Sequence, residues 1–179
     1  MDYSIGAVER ILEATGRPVT RHWLQQLKKR LRLWNAEYQV TEGKGRHGDQ
    51  FPLSTICQIA LHYDLTRQVK THQEAWSKIT FNMVTAEMFT EALTLAGIAN
   101  SFQEVNFLTL LEEIKDIPEY RFMALAVIFD DKWDFNFKYI WDRDKLEDLQ
   151  KTIEYDSRVT IIFNMSQIAW LVAAAAKQT

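Results

Sequence analysis

The sequence predicts an α+β protein made of two folding units, 1–72 and 73–179. Two shifts in composition predict it, since five of the six glycines fall before position 50 and strongly alternating apolar sequence begins only after position 120. The balance of charge also differs between the two units. The first unit carries 11 Lys/Arg against 7 Asp/Glu, and the second carries 10 against 17. A basic unit joined to an acidic one is typical of a nucleic-acid-binding module with an accessory domain, and also of ordinary charge scatter on solvated helices.

The first predicted helix carries apolar residues at helical spacing, which are Ile5, Val8, Ile11 and Leu12. Gly16 ends this helix, because glycine adopts the left-handed backbone of a helix C-terminus without strain. A turn over 17–20 follows. Thr20 is the predicted N-cap of the next helix, since its hydroxyl can accept a backbone hydrogen bond from the first turn.

The second predicted helix spans about 21–33 and has two unlike faces. One face is apolar and consists of Leu24, Leu27, Leu31 and Trp34. The other is cationic or amide and consists of Arg21, Gln25, Lys28, Lys29 and Arg32. Between positions 17 and 46 the chain has eight basic residues against two acidic ones. We therefore expect one side of this helix to pack in the core and the other to remain available.

A β-hairpin is predicted after the second helix. An extended run at 37–41, a glycine-rich basic stretch at 42–49 and the dipeptide at 50–51 form its two arms and its tip. Pro52 then opens a third helix, whose apolar residues are Leu53, Ile56, Cys57, Ala60 and Tyr63. Residues 66–76 are either a helical extension or a linker.

For the second unit, the sequence predicts two helices within 82–118, followed by a small ββαβα domain. The elements of that domain are strands at 122–129 and 134–141, a charged helix carrying Leu146, Leu149 and Ile153, a strand at 159–163 and an apolar helix at 167–176. The terminal helix is either a core helix or a subunit interface.

The tetrapeptide Tyr3-Ser4-Ile5-Gly6, the basic helix at 20–33 and the tripeptide Phe51-Pro52-Leu53 occur in a fixed order. This order resembles the winged helix-turn-helix of the mercury-resistance-regulator (MerR) family, over about the first 72 residues. Arg21-His22-Trp23-Leu24 departs from the Arg-Tyr-Tyr-like pattern of that family. The stretch after residue 66 lacks the apolar heptads of its dimerising coiled coil. The resemblance implies a DNA-binding module, and the second unit matches no effector domain.

The predicted function is sequence-specific DNA binding by a transcriptional regulator. A helix fits the major groove, where Arg and Lys pair with guanine and Gln pairs with adenine, while a basic hairpin tip can reach phosphates or the minor groove. The predicted DNA-binding residues are Arg17, Thr20, Arg21, His22, Gln25, Lys28, Lys29, Arg32, Lys44, Arg46 and His47. The alternative is a protein–protein interaction or adaptor protein whose winged domain binds another protein.

The predicted partners are double-stranded DNA and a second copy of the chain, paired through residues after about 80. A small-molecule or protein effector is a further candidate partner at 73–179. We expect no cofactor, no metal and no enzymatic activity, because the four histidines are scattered and Cys57 lies on an apolar helix face. One cysteine, no signal-like N-terminus and no apolar run of about 20 residues predict a cytoplasmic protein without a membrane segment.

Overall fold

The computed structural model describes residues 2–33, 49–68, 73–83, 88–90, 124–129, 135–140 and 159–179. Over these residues the protein combines helices with two small antiparallel sheets, so the predicted α+β class is confirmed. The chain divides into two compact units. One comprises residues 1–97 together with 168–179, and the other comprises residues 98–167.

The N-terminal segment forms a short strand and the first predicted helix. Strand β1 is Asp2–Ser4 and helix α1 is Ile5–Ala14. The Ser4 hydroxyl caps α1 by accepting a hydrogen bond from the backbone N–H of Ala7 at 3.4 Å. At the other end Gly16 has a φ of 77°, which confirms that it ends the helix. Three of the predicted core residues, Val8, Ile11 and Leu12, are fully buried.

Helix α2, Arg21–Leu33, has the predicted bounds. The Thr20 hydroxyl accepts a hydrogen bond from the backbone N–H of Trp23 at 3.2 Å, which confirms the predicted N-cap. The apolar face is buried through Leu24, Leu27 and Leu31. Trp34, the fourth residue predicted on that face, lies outside the described residues.

Strand β2, Gln50–Pro52, pairs antiparallel with β1, with Tyr3 opposite Phe51. The sequence predicts residues 50–51 as the returning arm of a hairpin. In the structure, this arm pairs with the N-terminal strand β1. The predicted first arm at 37–41 and the tip at 42–48 lie outside the described residues. Phe51 is buried and leads directly into the third helix.

Helix α3, Leu53–Gln68, is the central helix of the first unit. Every residue from 54 to 62 is buried, because α1, β2 and the following helices pack around it. A stretch of helix that is buried on all sides has no solvent face, so the apolar residues of 54–62 need not keep to one stripe. The polar side chains buried in this stretch are Ser54, Thr55, Gln58 and His62.

Two further segments pack against α3, namely helix α4, Gln73–Lys78, and a π-helical turn, Ile79–Met83. Trp76 is fully buried. The Gln58 side-chain amide donates to the Thr80 carbonyl at 3.3 Å, which satisfies a carbonyl of the π-helical turn. The stretch 66–76, predicted as a helical extension or a linker, is helical at 66–68 and 73–76, and its last residue lies in the core.

A three-stranded antiparallel sheet contains the strands predicted in the second half of the chain. They are β3, Ala124–Phe129, β4, Phe135–Ile140, and β5, Val159–Asn164, in the order β4-β3-β5. Val127 lies opposite Phe137 on one side and Ile161 on the other. The predicted helix between β4 and β5 lies outside the described residues. So do most of the two helices predicted within 82–118, of which residues 88–90 are seen as helix.

The last helix, α5, is Met165–Ala176. The Asn164 side chain begins it by accepting from the backbone N–H of Gln167 at 2.9 Å. One face is buried and consists of Ile168, Ala169, Val172, Ala175 and Ala176. Trp170 and Leu171 are half-buried. Within the described ranges, no helix combines the length and the apolar character needed to cross a membrane.

Candidate nucleic-acid interface

The turn between α1 and α2 is fixed to α3 by Arg17. The Arg17 guanidinium donates to both carboxylate oxygens of Asp64, with Nη2 2.7 Å from Oδ2 and Nε 3.0 Å from Oδ1. A third donor, Nη1, reaches the Thr15 carbonyl at 3.1 Å. The Arg17 side chain is only 11% exposed. This placement favours a structural role for Arg17 over the DNA contact that the sequence predicted, because its charge is paired with Asp64 and three of its five N–H donors are used.

Helix α2 is the most cationic described element. Its thirteen residues include five Lys/Arg and no Asp/Glu. Arg21, Gln25 and Lys29 follow one another at four-residue intervals and are all exposed. Residues at this spacing share one face of a helix. We call these three residues the outward stripe.

Lys28 lies at the border between the outward stripe and the leucine face. Its Nζ is 2.6 Å from Asp49 Oδ2, and the Lys28 side chain is 17% exposed. Asp49 immediately precedes β2. The ion pair thus connects α2 to the base of the predicted hairpin. Because an anion already compensates its charge, Lys28 is a weaker candidate for phosphate binding than Lys29.

The structure brings four of the predicted DNA-binding residues together on the exposed side of α2. These are Arg21, His22, Gln25 and Lys29. Thr20 serves as the N-cap, so its hydroxyl is already bonded to the helix. Arg32 lies in α2, and its side chain is outside the description. The predicted hairpin-tip residues Lys44, Arg46 and His47 also lie outside the described residues.

A second stripe on α2 was missed in the sequence analysis. His22, Gln26 and Arg30 also follow at four-residue intervals, about 100° around the helix from the outward stripe. His22 and Arg30 are exposed, and Gln26 is half-buried. The spacing was visible in the sequence. Its significance was not, because it depends on what α3 places opposite these residues.

The second stripe borders a cleft of about 400 Å³ between α2 and α3. Trp23 and Leu27 line it from α2, and His62 and Thr66 line it from α3. Thr20 closes the end at the start of α2. The cleft therefore combines a cationic rim with aromatic and apolar walls.

His62 is the buried titratable group of this cleft. The residue is 4% exposed, and its ring lies 6.3 Å from the Trp23 ring and 5.6 Å from the Phe81 ring, centroid to centroid. Burial lowers the pKa of His62 to about 4, because the imidazolium form loses its hydration, and the nearby charge of Arg30 acts in the same direction. Within the described part of the chain, nothing hydrogen-bonds to its Nδ1.

The remaining reactive groups do not form a catalytic or metal site among the described residues. Cys57 is fully enclosed in α3, and burial raises the pKa of its thiol. No group of three or more His, Cys, Asp or Glu in the described ranges has the geometry to hold a metal ion. The chemistry that these residues offer is recognition through hydrogen bonds, charge and aromatic surface.

Comparisons of the chain with protein-family models, with curated proteins and with solved structures give no match.

Proposed function

We propose that the chain is a sequence-specific DNA-binding protein, a transcriptional regulator that uses α2 as its recognition helix. The observation that carries the proposal is the asymmetry of this helix. It has five Lys/Arg and no acidic residue, its leucine face is buried, and its outward stripe is exposed. At thirteen residues it is about 20 Å long, and the major groove is about 12 Å wide and admits an α-helix.

The outward stripe suits both kinds of contact that such a helix makes. Arg21 and Gln25 lie in the first half of α2 and can pair with guanine and adenine edges, respectively. Lys29 is one turn further on and can neutralise a phosphate. His22, in the second stripe, is exposed beside Arg21 and can donate to a base edge or to a phosphate. In a recognition helix, the base contacts usually lie near the N-terminal end and the phosphate contacts lie beyond them.

The surroundings of α2 support the proposal because they hold the helix rigidly. The Thr20 cap fixes its first turn, and the ion pair of Arg17 with Asp64 fixes the preceding turn to α3. The ion pair of Lys28 with Asp49 links the helix to the segment that enters β2. A recognition helix that is already held in place loses little conformational entropy when it binds DNA.

The order of elements also supports a winged helix-turn-helix. Strand β1 precedes α1 and pairs with β2, which is the predicted returning arm of the wing. In this proposal Lys44, Arg46 and His47 extend the interface from the wing tip to the DNA backbone.

The proposal is tested by selecting duplexes from a random-sequence pool with the full chain, then measuring affinity at several salt concentrations. We expect Lys29→Gln to reduce the slope of log K against log[salt] by about 0.9, the value for one lost phosphate contact. We expect Arg21→Ala to cost about 1–3 kcal/mol on the selected site and much less on random DNA. Lys177→Gln, which removes the same charge from an exposed position near the C-terminus, is the matched control and should change neither.

Two outcomes would contradict the proposal. If Lys177→Gln weakens binding as much as Lys29→Gln, overall charge and not α2 governs the affinity. If the folded chain selects no sequence and shows no salt-dependent affinity, it is not a DNA-binding protein. The adaptor alternative, in which the same domain binds a protein partner, would then be favoured.

A further inference from the structure

The outward stripe of α2 carries hydrogen-bonding groups that are free to meet a ligand. Arg21, Gln25 and Lys29 are exposed, and within the described part of the chain their side chains make no hydrogen bond and no ion pair. Lys28, by contrast, is paired with Asp49 at 2.6 Å. The side chains of the outward stripe therefore keep their full set of donors and acceptors.

Arg21 and Gln25 match different purines. An arginine side chain carries donors only, and a guanine presents two acceptors, O6 and N7, in the major groove. A glutamine amide carries donors and an acceptor, which match the N7 acceptor and the N6 donor of adenine. Each purine thus satisfies one of the two side chains fully and the other only in part.

The spacing of the two side chains along α2 fixes the distance between the purines. Four residues of an α-helix advance about 6 Å along its axis and turn about 40° beyond one full revolution, so Arg21 and Gln25 leave α2 in similar directions. In zinc fingers, side chains three positions apart, or about 4.5 Å, contact successive bases. A distance of about 6 Å is nearer to one such step than to two, which require about 9 Å. The two purines therefore belong to neighbouring base pairs.

On the premise of the proposed DNA-binding function, we propose that the outward stripe reads one guanine and one adenine in neighbouring base pairs, with Arg21 on the guanine and Gln25 on the adenine. Both contacts use the N7 atom of the purine. Lys29, one turn beyond Gln25, neutralises a phosphate whatever the sequence, so it contributes affinity and no discrimination. The class of DNA that α2 selects is therefore defined by this two-base step.

The test uses 7-deaza purines, which lack the N7 acceptor. Every guanine and adenine of a duplex that the full chain selects from a random pool is replaced in turn by its 7-deaza analogue, and the dissociation constant is measured for each duplex. The proteins compared are the wild type, Arg21→Ala, Gln25→Ala and Arg10→Ala. Arg10 is exposed on α1, so its substitution is the matched control for the loss of an arginine elsewhere on the surface. Alanine favours a helix at all three positions, and circular dichroism verifies that each variant is folded.

We expect one 7-deazaguanine to weaken wild-type binding about tenfold or more and one 7-deazaadenine about fivefold, because a hydrogen bond from a charged donor contributes more than a neutral one. The two replaced bases should lie in neighbouring base pairs. Arg21→Ala should be insensitive to the first replacement and Gln25→Ala to the second, whereas Arg10→Ala should retain both losses.

The results distinguish a wrong base assignment from a wrong function. Sensitive purines that are not in neighbouring base pairs, a wild type insensitive to every replacement, or the same two losses in all three variants would overturn the base assignment while leaving DNA binding intact. A folded chain that selects no sequence and shows no salt-dependent affinity would overturn the proposed function and the base assignment together.

Discussion

His62 is a neutral ring held between aromatic neighbours, and this makes folding sensitive to acid. Its ordinary pKa of 6.5 is lowered to about 4 in the folded chain. Between these two values the unfolded chain binds a proton that the folded chain does not bind. The free energy of unfolding attributable to His62 is therefore complete above about pH 6.5 and is lost as the pH falls toward 4. A shift of this size corresponds to up to about 3 kcal/mol.

We expect His62→Gln to remove this part of the pH dependence, since glutamine does not titrate. The measurement is urea unfolding of the wild type and the variant at several pH values between 4 and 7. The wild type should lose stability relative to His62→Gln as the solution is acidified. His22→Gln is the control, because it makes the same substitution at an exposed histidine. Parallel profiles for the wild type and His62→Gln would contradict the assignment.

Some residue roles could be predicted from the sequence and others could not. The Thr20 cap and the buried face of Leu24, Leu27 and Leu31 depend on neighbours within one or two turns, so local spacing is sufficient to predict them. The role of Arg17 depends on Asp64, which is 47 positions away. A basic residue in a turn gives no sign of such a partner. That Arg17 also contacts DNA stays a prediction.

At the scale of elements, the junction of α1 with the turn rests on one backbone conformation. The Arg17 N–H donates to the Leu12 carbonyl and the Gly16 N–H to the Glu13 carbonyl, each at 2.9 Å, which is the Schellman arrangement. It requires the positive φ of 77° at Gly16. A Cβ added there would meet nothing within 4 Å, so any cost of substitution arises from the backbone and not from crowding.

We therefore expect alanine substitutions at the two glycines of this region to change the free energy of unfolding in opposite directions. Gly16→Ala should lower the free energy of unfolding by about 1–2 kcal/mol, and Gly16→Asn by less, because asparagine tolerates the left-handed region better than alanine. Gly6→Ala should raise it by about 0.5–1 kcal/mol, because Gly6 lies within a helix and its added Cβ has only an ordinary contact at 3.9 Å, with Arg10. Urea unfolding measures both. A stabilised Gly16→Ala would refute the role of the positive φ.

The helix and strand predictions are confirmed where the pattern is local, whereas burial and strand pairing depend on packing. The bounds of α2 follow from its cap and its leucine spacing. The strands of the second sheet follow from an apolar run at 122–129, from alternation at 134–141 and from a short apolar run at 159–163. Trp76 occurs in a polar stretch, and only the approach of α4 to α3 makes it a core residue. The partner of β2 was likewise unpredictable, because strand pairing is not encoded by the alternation of a three-residue strand.

At the scale of the whole molecule, the DNA-binding proposal carries an expectation of pairing. One recognition helix buries a small interface, whereas two helices on a two-fold axis roughly double the contacts and read a palindromic site. Helix α5 contributes a surface for this. Its inner face is buried, while Trp170 and Leu171 remain partly accessible. Deleting the helix would be a poor test, because the loss of Ile168 and Val172 from the core would itself unfold the chain.

We expect the intact chain to sediment as a dimer at micromolar concentration. Leu171→Glu should shift it toward the monomer, because a carboxylate at a half-buried position of an interface loses hydration without gaining a partner. Gln178→Glu adds the same charge at an exposed position beyond α5 and is the matched control. Circular dichroism of both variants establishes that each is folded. On a duplex with two half-sites, Leu171→Glu should lose cooperativity while retaining the affinity of the wild type for a single half-site. A wild-type chain that remains strictly monomeric with and without DNA would exclude the dimer, and a dimer unaffected by Leu171→Glu would place the interface elsewhere in the chain.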